Sequence, residues 1–106
     1  MSTAETLYHQ IADSLADGKK SKMFGCPCIK APNGKAAFIY WPKGDVLVFK
    51  LGGEAAQEAL SLDGAHTFRP MTERPPMNGW IQIPAHYASR WPEWARASLD
   101  YVKTLR

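Results

Sequence analysis

The stretch from Lys35 to Leu51 constrains the fold more than any other part of the chain. It reads Lys-Ala-Ala-Phe-Ile-Tyr-Trp, then Pro-Lys-Gly-Asp, then Val-Leu-Val-Phe-Lys-Leu. Two runs rich in β-branched and aromatic residues around a turn cluster are the pattern of a β-hairpin. A helix is a poor alternative, because Pro42 and Gly44 interrupt the stretch and Val, Ile, Phe and Trp prefer a pleated surface. Strand periodicity sends Ala37, Ile39 and Trp41 to one face and Phe38 and Tyr40 to the other; in the second strand Val46 and Val48 oppose Leu47, Phe49 and Leu51.

The flanking segments supply the remaining elements. From Thr3 to Asp17, Leu7, Ile11 and Leu15 recur every fourth residue, with Tyr8 and Ala12 widening an apolar stripe that Gly18 can end. The run from Lys19 to Lys30 is expected as one strand, solvated at its basic start and broken between Gly25 and Pro27, where a residue without an N–H places a bulge or an edge. Asn33-Gly34 turns the chain into the central hairpin. Glu54 to Leu62 reads as a short second helix ending at Asp63-Gly64, His66 to Pro70 as a short extended piece, Pro70 to Gly79 as a proline-rich loop and Trp80 to Ile83 as a last strand. From Ser89 onward Trp91, Trp94, Ala95, Leu99, Val102 and Leu105 form a helical stripe, with Pro92 in its first turn. The order α-β-β-β-α-β-β-α predicts a two-layer α+β domain over residues 1–106, a five-stranded antiparallel sheet with helices on one face.

Composition narrows the class without naming a reaction. A chain of 106 residues with 45% hydrophobic and 22% charged residues can bury one ordinary core. The net charge of +3 is too small to imply a nucleic-acid binder by itself. No apolar run approaches the roughly 18 residues of a membrane span, and a signal-peptide pattern is missing from the start, so a cytoplasmic location without membrane contact is expected.

Cys26-Pro27-Cys28 is the most chemically suggestive triplet. In an extended strand, residues two apart lie about 6.6 Å apart, too far for a disulfide without a sharp bend. Zinc would need two further ligands from His9, His66, His86 or carboxylates, so two half-buried small hydrophobes are expected, with no metal or cofactor. The histidines are tied to no nucleophile motif and no catalytic residues are assigned, so the chain is read as a non-enzyme. Gly52-Gly53-Glu54 lacks the spacing of a phosphate loop and is read as a strand-to-helix turn. Lys19, Lys20 and Lys22, with Lys30 and Lys35 near them, form a candidate basic patch, for which a solvated surface is the simpler reading.

Several segments, taken in order, carry a family resemblance: Met23-Phe24-Gly25-Cys26-Pro27-Cys28, Asn33-Gly34-Lys35, Phe49-Lys50-Leu51, Gly64-Ala65, Phe68-Arg69-Pro70-Met71, Arg74-Pro75 and Trp80-Ile81-Gln82-Ile83-Pro84. As a set they resemble the TfoX N-terminal domain family, named for the TfoX/Sxy competence regulators. The resemblance implies a two-layer α+β fold similar to that of type III secretion chaperones, with a curved five-stranded sheet and no catalytic residues to carry over. It also implies a stand-alone N-terminal domain, since the longer regulators carry a second domain. The extra residue in Arg74-Pro75-Pro76-Met77, and His66, depart from the family pattern.

Together these readings predict a non-enzymatic interaction or regulatory module that binds a protein partner or a second copy of itself. If helices cover one face of the sheet, the other exposes large apolar groups, and Tyr40, Trp41, Val46, Val48 and Trp80 are the candidate interface. The alternative cover for that face is sheet curvature together with the loop from Pro70 to Gly79. A nucleic-acid-associated regulator using the lysines is the first alternative function, and a small-ligand protein or enzyme the second.

Overall fold

A computed structural model describes residues 3–23, 25–69, 77 and 79–105. The elements run α1 (Thr3–Ser14), β1 (Lys19–Met23), β2 (Cys26–Lys30), β3 (Ala36–Trp41), β4 (Val46–Lys50), α2 (Gly53–Leu60), β5 (His66–Thr67), β6 (Trp80–Ile83), a 3-10 segment (Ala85–Arg90) and α3 (Trp91–Val102). All strand pairs are antiparallel, in the order β1-β2-β3-β4-β6-β5. The α+β class and the antiparallel sheet agree with the sequence pattern. The central hairpin forms with Phe38 opposite Phe49, Ile39 opposite Val48 and Tyr40 opposite Leu47.

The expected five strands are six, because the run from Lys19 to Lys30 is a hairpin and not one broken strand. Met23 pairs with Cys26, so the chain reverses over two residues, and Gly25 takes the positive φ of 75° that such a reversal needs. The proline does not create a bulge. Pro27 opposes Lys22 just beyond the last partners of β2 and β3, Cys28 and Ile39, where its missing N–H costs no bond to β3. The bulge lies further on: Ile29 faces Phe38 and Lys30 faces Ala36, leaving Ala37 as the extra residue. That insertion corrects the expected face of Ala37, which packs beside Phe38 on the helix side.

The sheet has a core on each side. Tyr8, Ile11, Phe38, Leu47, Phe49, Ile81, Ile83, Trp91 and Leu99 belong to the cluster formed with the helices. On the far side Cys28, Ile39, Val48, Phe68 and Trp80 form a smaller cluster, with Met23, Trp41 and Met77 against it. Much of the loop expected from Pro70 to Gly79 falls outside the described residues. Its two described flanks, Phe68 and Met77, pack on the far face and are joined by a backbone bond of 2.8 Å from Met77 N to Phe68 O.

Side chains lock α3 to the sheet. The Trp91 indole N–H donates to the Ile83 carbonyl at 3.2 Å. Asn33 donates from Nδ2 to the carbonyls of Val102 at 2.9 Å and Leu105 at 3.2 Å, while its Oδ1 accepts from Lys35 N at 3.0 Å. The β2–β3 turn thus satisfies carbonyls that the end of α3 leaves open. Asp17 accepts from Arg96 and Lys103, and Asp100 accepts from Arg96, tying the end of the first helical segment to α3. Gly52 lies under the Tyr101 ring, and a Cβ there would sit 2.5 Å from Tyr101 Cε1 and 2.6 Å from Oη. Gly52→Ala is therefore expected to lower stability by about 1–3 kcal/mol in urea unfolding, and to cost much less in a Tyr101→Ala background.

Candidate functional site

The five residues expected at an open face do not share one. Tyr40 is 6% exposed on the helix side, and its hydroxyl donates to Asp45 at 2.8 Å. Val48 is fully buried and Trp80 is 8% exposed on the far side, beneath Phe68 and Met77. Val46 is buried beside the turn and Trp41 is half-buried, its ring edge-on to Phe68 at 4.9 Å. The far face is thus a second core, closed by the chain itself. Of the residues that close it, Met77 comes from the Pro70 to Gly79 stretch weighed as the alternative cover, and Phe68 from the short extended piece before it.

The lysines are distributed along the one strand that ends the sheet on its basic side. Among the described residues β1 pairs only with β2, and Lys19, Lys20 and Lys22 are exposed. They do not make one patch. Lys20 lies opposite Ile29 of the helix-side core, and Lys22 follows it on that face; Lys19, Ser21 and Met23 point to the far face, where Ser21 lies opposite Cys28. Lys20 is paired with Asp13 at 2.7 Å, and Lys20 holds that carboxyl below its ordinary range. Lys19 stands directly across from Lys30, a like-charge pair of the kind that destabilises a ladder. Among the described residues no carboxylate pairs with Lys19, Lys22 or Lys30, and no backbone group of β1 bonds outside its ladder with β2.

The cysteines sit on the same strand face but are covered. Cys26 is 6% exposed, Cys28 fully buried, and neither is in a disulfide. Burial pushes both thiols up; Lys43 near Cys26 and Lys30 near Cys28 only partly offset it. Among the described residues no group of three or more His, Cys, Asp or Glu is placed to hold a metal. A thiol reagent at neutral pH is expected to leave both cysteines unmodified in the folded protein and to titrate both in denaturant. Because the folded thiols hold their protons more tightly, their contribution to stability is complete below the ordinary thiol range and is lost as pH rises through the raised folded values.

A cleft of about 210 Å³ lies between α2 and α3, lined by Ala55, Glu58, Arg90, Glu93, Trp94 and Ala97. The Arg90 guanidinium stands 5.4 Å over the Trp94 ring and pairs with Glu58 at 3.5 Å and Glu93 at 3.3 Å. The place a ligand cation would take over the indole is filled by the chain's own arginine. The volume is below the roughly 300–1,000 Å³ of most small-molecule sites.

No family model, curated protein or solved structure matched the chain. Among the described residues no helix is long and apolar enough to cross a membrane. The outer edge of β1 is the feature the sequence reading missed. Lys20-Ser21-Lys22 ahead of Gly25 was its available signal, obscured because the segment was joined to the next strand.

Proposed function

We propose that the chain is a non-enzymatic, cytoplasmic interaction module resembling the TfoX N-terminal domain, and that it docks a protein partner along the outer edge of β1. One observation carries this reading: a five-residue strand ends the sheet with its outer backbone groups unbonded to any described residue. Such an edge pairs readily with an extended segment, gaining main-chain hydrogen bonds for affinity and alternate side chains for selectivity. The helices between and after the strands, together with the Met23 to Cys28 and Trp80 to Pro84 segments, support the kinship.

The nucleic-acid alternative draws on the same lysines but is less well supported. A phosphate backbone is tracked by a continuous basic face, whereas these lysines divide between two faces and one is already paired. The small-ligand alternative rests on the α2–α3 cleft, whose arginine is engaged internally. A photo-crosslinking side chain in place of Lys22 is expected to trap one defined protein in cells of origin, and the same group in place of Glu93 on α3 none. Successive strand N–H groups point to opposite sides, so with the crosslinker at position 22 one of Lys20→Pro and Ser21→Pro is expected to abolish trapping while the fold is retained. Equal trapping at both positions, or trapping indifferent to both prolines, overturns the reading.

A further inference from the structure

We infer that the partner segment is an acidic strand with carboxylates at positions i and i+3 behind an apolar residue, reading apolar-acid-x-x-acid from N to C. This rests on the docking reading above and adds the chemistry of what docks. The pattern follows from which groups on β1 remain unpaired. Lys22 is available on the helix side, Lys19 and its cross-strand neighbour Lys30 on the far side, while Lys20 is held by Asp13. Met23 is half-buried at the end of the strand, against the far-side core.

Every pairing in this sheet is antiparallel, and an antiparallel newcomer places its residues directly opposite those of β1. The residue opposite Met23 extends the far-side apolar cluster. The next opposes Lys22, and the one three further on opposes Lys19. Since strand side chains alternate, residues separated by three face opposite sides, as Lys19 and Lys22 do. A carboxylate beside Lys19 also relieves the repulsion between Lys19 and Lys30, a gain that a neutral strand does not provide.

The same charges exclude a second copy of the chain at this edge. Two β1 strands paired about Ser21 place Lys20 of one copy against Lys22 of the other, like charges directly opposed. Edge lysines are a common guard against indiscriminate strand pairing. Here the guard and the selectivity are one effect: what repels basic or apolar strands admits an acidic one.

The test is an NMR titration of the whole protein with an end-blocked peptide containing Val-Glu-Thr-Thr-Glu, beside a scrambled peptide, Val-Thr-Glu-Glu-Thr, of equal charge. The matched peptide is expected to shift the amides of residues 19–23, to protect the alternate ones that point away from β2, and to bind about tenfold more tightly than the scramble. Lys19→Glu/Lys22→Glu is expected to lose that binding by about tenfold and to gain a Val-Lys-Thr-Thr-Lys peptide instead. Equal binding of matched and scrambled peptides, shifts located elsewhere, a single-stranded oligonucleotide outcompeting the peptide at these residues, or self-association through β1 overturns the inference. If crosslinking at position 22 still traps a proline-sensitive partner while the peptide fails, the acidic motif falls and the docking edge stands; if both fail, both fall.

Discussion

Phe68→Ala is expected to destabilise the protein by about 3–5 kcal/mol, the usual cost of emptying an aromatic site in a core. The side chain is 1% exposed, packs edge-on against Trp41 and joins Ile39, Val48, Cys28 and Trp80 in the far-side cluster. Its backbone is fixed on both sides, the N–H donating to Trp80 O at 2.6 Å and the carbonyl accepting from Met77 N. The cavity cannot collapse easily around so constrained a segment, which places the cost high in that range. In urea unfolding the loss reads as a lower midpoint at similar slope, and in heating as a fall of at least about 12 °C. The variant is also expected to bind a hydrophobic dye and to self-associate, because Ile39, Val48 and Trp80 lose their cover. A cost below about 1 kcal/mol means that the far face is open in solution and that the original interface residues Trp41, Val48 and Trp80 regain their candidacy.

Trp91→Ala is expected to have an effect of similar size through a different mechanism. Trp91 is fully buried at the first residue of α3, where Pro92 follows it, and its indole N–H meets the Ile83 carbonyl. Removing the ring leaves a cavity under the helix and takes the indole donor from the Ile83 carbonyl, which stays opposite Leu47 in the β4–β6 ladder, together about 3–5 kcal/mol. Trp91→Phe separates the two effects: it fills much of the space and removes the donor, and its expected cost is about 1–2 kcal/mol. If the two variants lose equal stability, the hydrogen bond and not the packing dominates.

What the sequence revealed divides along the range of the interactions involved. The Lys35 to Leu51 hairpin and the stripes of α1 and α3 were legible because their signals lie within a dozen or so residues, and the buried positions Ile11, Trp94, Leu99 and Val102 follow the expected stripes. The split at Gly25 was not, because a glycine after a phenylalanine fits either an interrupted strand or a two-residue turn, and only the register with Cys26 decides. Ala37 took the wrong face since a bulge is a property of two strands together. Asn33 was read as a turn residue, and its bonds to Val102 and Leu105 are made 69 and 72 residues away, beyond any local pattern. The far-side cover was hidden for the same reason: Phe68 follows a two-residue strand at the flank of a loop, and nothing near it in sequence announces that it lies on β3 and β4.

The strand order has a consequence for synthesis. β1 to β4 are a meander of near neighbours, but β4 waits for β6, and the helix-side cluster waits for α3, which follows them both. As the chain leaves the ribosome, its most aromatic ribbon is therefore complete with only α1 at hand to cover it, while Phe68 on the far side and α3 on the helix side are still to come. The lysines of β1 give that partly covered sheet one margin whose charge disfavours sticking to a neighbouring chain.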